Sequence, residues 1–273
     1  MKNKLILGIS APSSTLAKRF IKTNSYKIVT YNKNINDHIA FKKWIKKNKS
    51  INCFVNFAAI TSSKNSTKSK DYIFQTNYKS VIKIMNIINN ANLKNFKYFL
   101  SISSSHVFKK TNLKLSEKSV KKPNSIYGMS KLLMEKKIIN NQLSYKYSVG
   151  IARIFNFYDK KSNKNFFIKD IKEKLKIKDQ LIYFNKVNTF RDFIHVEDVI
   201  SALKHMVKYK LSLDFNICSG KKFNLINIIK YLNKKNKKII FQKKYFNGIV
   251  GSNKKLYNTG WRIKKNVNYK LFD

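Results

Sequence analysis

The sequence predicts an α/β protein, with a doubly wound parallel sheet of the Rossmann-like type and a small C-terminal α/β lobe. Short apolar runs alternate with helical patterns of ten or more residues over residues 1–156, which is typical of parallel β-α-β units. One run, residues 51–59, is apolar almost throughout, as expected for a strand buried on both faces. We therefore assign residues 1–156 to a larger domain. We assign residues 157–273 to a smaller lobe. Because no Gly-, Ser- or Pro-rich linker separates the two parts, we expect the lobe to interleave with the larger domain.

The elements of the larger domain follow from apolar spacing and from capping residues. Leu16, Ala17, Phe20 and Ile21 recur at helical spacing after a turn of small residues, and Asp37 is expected to cap the next helix. The predicted strands cover residues 4–7, 26–31, 51–59, 98–104 and 147–155, and later helices cover residues 72–93 and 125–141.

The smaller lobe has a looser alternation of elements. Its predicted strands cover residues 181–184 and 215–218, and its predicted helices cover residues 167–175, 196–209 and 225–233. We expect this lobe to pack over the carboxyl edge of the sheet, where open α/β sheets bind their ligands, and so to hold the substrate.

The charge balance is unusual. The chain has 58 Lys and Arg residues against 13 Asp and Glu residues, a formal net charge of +45. Such an excess is typical of polyanion-binding proteins. However, arginine, which reads phosphates and bases best, is rare, and lysine is spread from Lys2 to Lys270. We interpret the charge as a chain-wide compositional bias and expect no specific nucleic-acid partner, although self-repulsion should make stability depend on salt.

Other compositional features exclude several classes of protein. Cys53 and Cys218 have no CxxC or His/Cys spacing, so the sequence predicts neither a disulfide framework nor a metal site. The N-terminal apolar run is too short for a signal peptide, and no stretch approaches the ~20 apolar residues of a membrane span. We expect a cytoplasmic protein that does not contact a membrane.

The turn after the first predicted strand is the first candidate site. Small residues at Gly8, Ala11 and Ser14 have the spacing of a dinucleotide-binding loop, in which the backbone approaches a pyrophosphate at a helix N-terminus. Only the first of them is glycine, so this turn alone is equally compatible with an ordinary βα turn.

A second candidate site is the pair Tyr127 and Lys131, four residues apart on one face of a predicted helix. A neighbouring cation favours the phenolate, so we expect the pKa of Tyr127 to fall toward neutrality. Such a phenol can give a proton to a carbonyl oxygen or take one from a hydroxyl group. The preceding strand ends in the hydroxyls of residues 103–105, and Pro123 lies just before the helix.

With these segments the chain resembles the extended short-chain dehydrogenase/reductases, the NAD-dependent epimerase/dehydratase family that acts on nucleotide sugars. The matching segments run in order along nearly the whole chain. They are the Gly8 loop, residues 56–59, Asn77, residues 103–108, Pro123 with Tyr127 and Lys131, residues 153–156 (RIFN), 191–198 (RDFIHVED) and 215–220, and Gly260-Trp261.

The resemblance implies a role for each matching residue. Tyr127 would be the proton donor or acceptor, Lys131 the cation that binds the ribose and tunes the phenol, and Ser104 the hydroxyl that orients the reacting oxygen. The NAD or NADP contacts would come from Gly8, Pro12, Ser13, Asn34, Ile35, Phe57, Ala58, Ala59, Asn77, Lys131 and Phe155. Substrate contacts would come from His106, Asn156 and Arg191, the last two at the sugar-nucleotide diphosphate.

Departures from the family pattern narrow the expected chemistry. Family dehydratases carry an Asp-Glu pair directly after the active-site hydroxyl, where this chain has Ser105 and His106, so we expect no dehydration. His106 is either a second acid-base group or, as we prefer, part of the pocket wall, and His195 is expected to pack rather than catalyse. No acidic residue follows the second strand, and Lys33 stands there instead, which slightly favours NADP.

The resulting interpretation is a homodimeric NAD(P)-dependent oxidoreductase or epimerase acting on a nucleotide-activated sugar, with reduction of a 4-keto group preferred. A 4-epimerase using the same residues is the near alternative. A non-catalytic cofactor sensor or polyanion-binding module on the same scaffold is the alternative from another class. The family resemblance further implies a pathway such as surface polysaccharide assembly, while the sugar and the nucleotide stay open.

Overall fold

The computed structural model describes residues 5–23, 25–61, 69–159, 166–177 and 181–272. The chain divides into two compact units. Unit 1 consists of Met1–Lys109, Lys121–Arg153 and Ile200–Phe215, and unit 2 consists of Lys110–Val120, Ile154–Val199 and Asn216–Asp273. Each unit is assembled from separated stretches of the chain.

A parallel sheet dominates the described part of unit 1. Its strands are β1 (Ile6–Ser10), β2 (Lys27–Tyr31), β3 (Cys53–Asn56), β4 (Tyr98–Ser104), β6 (Ser148–Ile154) and β11 (Leu213–Ile217). Their order is β11-β6-β4-β3-β1-β2. The short strand β5 (Lys114–Leu115) falls between β4 and β6 in the chain but belongs to unit 2. Because β2 and β3 lie on opposite sides of β1, the strand order reverses at β1, and a crevice is expected beyond the carboxyl ends of β1 and β3. The predicted fold class is confirmed.

Four of the five α-helices that start in the described part of unit 1 begin at a capping side chain, and the exception, Ser80–Asn90, continues from a π-helical turn. They are α1 (Thr15–Lys22), α2 (His38–Lys47), α3 (Lys70–Phe74), α4 (Ser80–Asn90) and α5 (Ile126–Asn140), with a π-helical turn, Gln75–Lys79, between α3 and α4. Asp37 caps α2 by accepting a hydrogen bond from Ala40 N at 2.9 Å, as predicted. The core between α2, α4 and the sheet includes Phe41, Ile84 and Phe99.

Unit 2 contains shorter elements. Its strands are β7 (Asn156–Tyr158), β8 (Leu181–Phe184), β9 (Phe190–Arg191), β10 (Phe193–His195), β12 (Phe223–Asn224), β13 (Lys238–Phe241) and β14 (Val250–Gly251). The remaining helices are α6 (Phe166–Lys176), α7 (Val196–Tyr209), α8 (Leu225–Leu232) and α9 (Lys254–Tyr257). A separate apolar core, which includes Phe193, Ile228 and Phe272, stabilises this unit.

The placement of one strand differs from the sequence prediction. Residues 215–218 were expected in the smaller lobe, but β11 is the edge strand of the main sheet, next to β6. The helix before it, α7, belongs from Ile200 onward to unit 1. Local apolar patterns carry no information on which sheet a late strand joins, which explains the error.

Gly8 also lies elsewhere than expected. The predicted turn begins at Gly8, but β1 continues to Ser10, so Gly8 is inside a strand. A Cβ atom at Gly8 would lie 2.7 Å from Phe54 Cδ2 and 3.1 Å from Trp44 Cη2, so the packed aromatic rings require glycine there. The turn itself is formed by residues 11–14. Ser14 N donates to Ala11 O at 3.0 Å, and Ala11 has a φ of 48°, in the left-handed region.

Both cysteines are fully buried, Cys53 in β3 and Cys218 in unit 2. Burial raises the pKa of the Cys53 thiol to about 12 and that of the Cys218 thiol well above its ordinary value.

Across the described ranges, no helix is long and apolar enough to cross a membrane. In the same residues, no three His, Cys, Asp or Glu side chains are grouped closely enough to hold a metal ion.

Candidate active site

Ser104 is the last residue of β4, at the carboxyl edge of the sheet, and its side chain is buried. A short 3-10 turn, Ser105–Val107, follows it, and Ser104 Oγ accepts a hydrogen bond from His106 N at 3.3 Å. The hydroxyl is therefore held at the end of the strand. Ser103 and Ser105 are also buried, but among the described residues it is Ser104 that bonds the predicted tyrosine.

Tyr127 lies in the first turn of α5. Ser125 caps this helix by accepting a hydrogen bond from Gly128 N at 3.1 Å. The side chains of Tyr127 and Ser104 are hydrogen-bonded to each other, and the His106 ring packs edge-on at 5.6 Å between ring centroids. The structure thus brings together the predicted phenol, the predicted hydroxyl and His106.

The protonation of Tyr127 differs from the expectation. Burial raises the pKa of the Tyr127 phenol above 10.0, and the hydrogen bond with Ser104 only partly opposes this effect. The expected lowering by a neighbouring cation was wrong, because burial is the larger effect here. Tyr127 is consequently protonated at neutral pH and can donate a proton.

Lys131 lies one turn further along α5 and is buried. Its Nζ donates a hydrogen bond to the Ile102 carbonyl oxygen in β4 at 2.8 Å. Burial lowers the pKa of Lys131 to about 8, and the nearby Glu135 carboxylate opposes that change. The side chain is therefore mostly an ammonium ion at pH 7.

A buried ionic cluster, which the sequence analysis missed, lies beside Lys131. Glu135 accepts a hydrogen bond from Ser103 Oγ at 2.5 Å and a bidentate pair from Arg153, whose Nη2 lies 2.7 Å from Glu135 Oε2. Arg153 Nη2 also lies 2.5 Å from Asp214 Oδ2. Two signals point to this cluster: Glu135 follows Lys131 by four residues, and Arg153 lies within a predicted buried strand.

The carboxyl ends of β1 and β3 carry polar groups that suit a dinucleotide. Ser10 Oγ donates to Asn56 Oδ1 at 2.6 Å and accepts from Phe57 N at 3.1 Å and from Ala58 N at 3.2 Å. These bonds fix the predicted segment 57–59. Among the described residues, the buried Asn56 Nδ2 has no hydrogen-bond partner, and α1 has no acidic side chain in its first turn. A donor without a partner and a helix N-terminus fit an anionic dinucleotide.

The turn before α1, residues 11–14, suits a dinucleotide less well. Pro12 has no N–H, so the turn offers one backbone donor fewer to a pyrophosphate, whereas Ser13 is exposed and contributes a hydroxyl. Phe57 and Ala58 are buried, and the Phe57 ring packs on Phe20 at 5.6 Å between centroids.

Other predicted cofactor residues of unit 1 have partners within the protein. Asn77, in the π-helical turn, accepts from Ile60 N at 2.8 Å and donates to Ile60 O and to Ser130 Oγ. It therefore ties the segment after β3 to α5. Asn34 Nδ2 donates to Tyr72 Oη at 3.1 Å, and Ile35 is buried. Their contacts with a cofactor stay predictions.

Three predicted residues lie in unit 2. Phe155 is buried, and Asn156 Nδ2 donates to the Asp192 carbonyl oxygen at 3.1 Å. The Arg191 guanidinium lies 4.6 Å from the centroid of the Phe167 ring. Burial lowers the pKa of Arg191, and the pKa of Lys110 is lowered by burial and by the charge of Arg191, so two cations lie near each other.

His195 has a structural contact in unit 2. Its Nδ1 accepts a hydrogen bond from Glu197 N at 3.1 Å, which caps the start of α7. Asp192, to which the sequence analysis gave no role, accepts hydrogen bonds from Ser219 N, Gly220 N and Gly251 N and so holds the loop at residues 219–220 to β14.

We expect Gly128→Ala to damage the site. A Cβ atom at Gly128 would lie 2.4 Å from the His106 carbonyl oxygen and 2.9 Å from Pro123 Cβ, so the first turn of α5 would have to move away from the 3-10 turn that follows β4. We predict a loss of about 1–3 kcal/mol in the free energy of unfolding, typical of overpacking, and a weaker contact between Tyr127 and Ser104. Chemical denaturation checks the stability. Gly260→Ala is the control for adding a methyl group, because no atom lies within 4 Å of its Cβ position, although its φ of 91° adds a backbone cost.

Comparison with known proteins identifies the family. A family model described as GDP-mannose 4,6 dehydratase matches residues 9–267. The chain belongs to this family. The family match confirms the resemblance to the extended NAD-dependent epimerase/dehydratases. It also weighs against the expectation that dehydration is excluded, because the family is named for a dehydratase.

Two curated relatives each match part of this chain. GDP-6-deoxy-D-talose 4-dehydrogenase of Aggregatibacter actinomycetemcomitans is 29% identical over 119 residues, 43% of this chain and 40% of the relative. GDP-6-deoxy-D-mannose reductase of Pseudomonas aeruginosa is 26% identical over 143 residues, 49% of this chain and 47% of the relative. The chain thus spans less than half of each curated relative that it matches.

Solved structures of similar fold cover more of the chain. RMD from Pseudomonas aeruginosa, complexed with NADPH, has a TM-score of 0.81 at 17% identity and covers 98% of this chain and 95% of its own. The UDP-Glc/GlcNAc 4-epimerase of Campylobacter jejuni has a TM-score of 0.81 at 18% identity, with 98% and 96% covered. These similarities establish the shared fold.

Proposed function

We propose that the protein is an NAD(P)-dependent enzyme that reduces the 4-keto group of a nucleotide-activated sugar, with Tyr127 as the proton donor. One observation carries the proposal: a protonated phenol, hydrogen-bonded to Ser104, lies at the carboxyl edge of a Rossmann-like sheet. A donor for a developing alkoxide must be protonated at working pH, and the raised pKa of Tyr127 meets that requirement.

The residues of unit 1 have distinct roles in this proposal. Tyr127 gives its proton to the carbonyl oxygen, and Ser104 orients that oxygen through its own hydroxyl, which is hydrogen-bonded to Tyr127. Lys131 binds ribose hydroxyls as an ammonium ion, and the turn 11–14 with the N-terminus of α1 binds the diphosphate. When bound, the nicotinamide supplies hydride to the sugar carbon. Lys33 after β2, where NAD-specific sites carry an acid, favours NADP.

The substrate class is supported by two observations. The names of both curated relatives contain a GDP-linked 6-deoxy sugar, so we propose a GDP-linked 4-keto-6-deoxyhexose as the substrate. In unit 2, the neighbouring cations Arg191 and Lys110 suit a diphosphate, and Asn156 adds an amide. A cytoplasmic location is part of the same proposal, because nucleotide sugars and NADPH are cytoplasmic metabolites.

The experiment incubates purified protein with GDP-4-keto-6-deoxymannose and with NADPH or NADH. Stoichiometric oxidation of the dinucleotide together with a 6-deoxyhexose product supports the proposal. Isomer formation from a nucleotide sugar without net dinucleotide consumption would indicate an epimerase, and conversion of GDP-mannose to the 4-keto sugar a dehydratase. Absence of all three reactions, with tight and selective RNA binding instead, would overturn the enzymatic interpretation.

We further propose a homodimer formed through a helical contact that includes α5. Ile126, Met129 and Ile139 are exposed apolar residues of α5, an arrangement that suits a helical interface. Size-exclusion chromatography with light scattering, in moderate salt that screens the net charge of +45, is expected to give twice the chain mass. A monomer at micromolar concentration would contradict this prediction.

A further inference from the structure

We infer that Glu135 is a positioning residue of the proposed reaction: its buried carboxylate keeps Lys131 in its ammonium form and fixes the strand end that carries Ser104. This inference rests on the proposed function, since it assigns a partner to two of the proposed catalytic groups.

The contacts between α5 and β4 form a continuous series. Tyr127, Lys131 and Glu135 follow each other at four-residue spacing along one face of α5. The three groups that they contact are consecutive in β4. Tyr127 bonds Ser104, Lys131 Nζ bonds the Ile102 carbonyl oxygen at 2.8 Å, and Glu135 Oε1 bonds Ser103 Oγ at 2.5 Å. Glu135 is therefore the third point at which the helix is fixed to the strand.

The charges of the cluster balance. Lys131 and Glu135 are each 1% exposed and Arg153 is 0% exposed, while the Asp214 side chain is 17% exposed. Burying a single charge is costly unless an opposite charge accompanies it. Two cations and two carboxylates are present, although the whole chain has only 13 acidic residues against 58 basic ones. Two of the 13 acidic residues of the chain thus belong to this one cluster.

Arg153 orients the Glu135 carboxylate. Both Glu135 oxygens accept hydrogen bonds from Arg153, Nε reaching Oε1 at 2.9 Å and Oε2 at 3.0 Å. The guanidinium also lies 5.3 Å from the centroid of the Phe108 ring, and Arg153 is bonded to Asp214 on its other side. The carboxylate consequently has a fixed position relative to Lys131 and Ser103.

The electrostatic consequence concerns Lys131. Burial lowers the pKa of Lys131 to about 8, and Glu135 is the charge that opposes this decrease. Other titratable groups near this face of α5 are Tyr127, His106 in the 3-10 turn, Arg153 in β6 and Asp214 in β11. The charged side chains of α3, the π-helical turn and α4, which also pack on α5, are exposed. Without Glu135, Lys131 would lose its proton at a lower pH.

The test measures the dissociation constant of NADPH by fluorescence from pH 6 to pH 9, for the wild type and for a matched pair of variants. Glu135→Gln keeps the shape and removes the charge, whereas Glu135→Asp keeps the charge and shortens the side chain. For the wild type, we expect affinity to fall above about pH 8, as Lys131 loses its proton. For Glu135→Gln, we expect the midpoint to move down by about one pH unit, which weakens binding about three-fold at pH 7.5 and about ten-fold at pH 9, and leaves it nearly unchanged at pH 6.

The matched variant separates charge from packing. Glu135→Asp is expected to keep its midpoint within about half a pH unit of the wild type, although its contact with Ser103 is lost. An unshifted midpoint for Glu135→Gln, or equal shifts for Gln and Asp, would overturn the inference. Absence of NADPH and NADH binding by the wild type at every pH would instead refute the proposed function.

A second variant serves if Glu135→Gln does not fold, as judged from its unfolding transition. Glu135→Gln combined with Arg153→Gln removes one charge of each sign, so the buried cluster of Lys131 and Asp214 stays neutral. The double variant lacks the Glu135 carboxylate as well, and we expect the same downward shift of the NADPH-binding midpoint. An unchanged midpoint in a folded double variant contradicts the inference.

Discussion

Tyr127→Phe is expected to reduce kcat of the proposed reduction by about 10²- to 10⁴-fold, the usual contribution of a positioned general acid. The substitution removes the proton donor and the hydrogen bond with Ser104. It keeps the ring, which packs edge-on against His106, so the fold should be retained. Initial rates of NADPH oxidation at saturating sugar nucleotide measure the effect, and NADPH fluorescence checks that cofactor binding persists.

Tyr147→Phe is the matched control for Tyr127→Phe. It removes a buried hydroxyl that donates to the Met85 carbonyl oxygen at 2.8 Å, and it lies outside the proposed site. We expect a loss of about 1 kcal/mol in stability and an unchanged kcat. If Tyr127→Phe turned over as fast as the wild type, another group would have to supply the proton, and the proposed role of Tyr127 would be wrong.

Arg153→Met is expected to lower the free energy of unfolding by about 3–5 kcal/mol, among the largest effects of any single substitution here. The guanidinium is fully buried between Glu135 and Asp214. Its removal leaves the buried Glu135 carboxylate and the partly exposed Asp214 carboxylate without their cation, and Glu135 would have to take up a proton or reach water. Urea denaturation followed by tryptophan fluorescence or circular dichroism measures the loss.

Arg262→Met provides the comparison for Arg153→Met, because Arg262 is exposed. Its effect should stay within about 0.5 kcal/mol, as for most surface substitutions. Adding Glu135→Leu to Arg153→Met should restore part of the lost stability, since one uncompensated carboxylate disappears. A loss below about 1 kcal/mol for Arg153→Met alone would mean that the cluster is open to water.

Much of the fold could be predicted because the signals are local. The strand at residues 98–104 and the helix at residues 196–209 have the predicted bounds, and Asp37 caps its helix as expected. The apolar run at residues 51–59 is longer than its strand, β3, because the chain leaves the sheet after Asn56, where Phe57 N and Ala58 N donate to Ser10 Oγ instead of pairing with a strand. The position of β11 depends on tertiary contacts, which apolar periodicity does not encode.

In the candidate site too, the residues with local sequence signals could be predicted, and those that depend on tertiary contacts could not. Tyr127, Lys131 and Ser104 could be found because their spacing is short and characteristic of the family. Glu135, Ser103, Arg153 and Asp214 come together only after β4, β6 and β11 have paired, across large sequence separations. The direction of the Tyr127 pKa depends on burial in the folded protein, so the sequence suggested the opposite change.

The two cysteines allow the opening of each unit to be timed separately. Cys53 lies in unit 1 and Cys218 in unit 2, and both thiols are shielded from solvent and hard to ionise. An alkylating reagent reacts only with a thiolate that it can reach, so labelling must wait until the surrounding unit opens. Peptide mass spectrometry after timed exposure to iodoacetamide would then give the labelling rate of each cysteine, and so the opening rate of each unit, without any substitution in the chain.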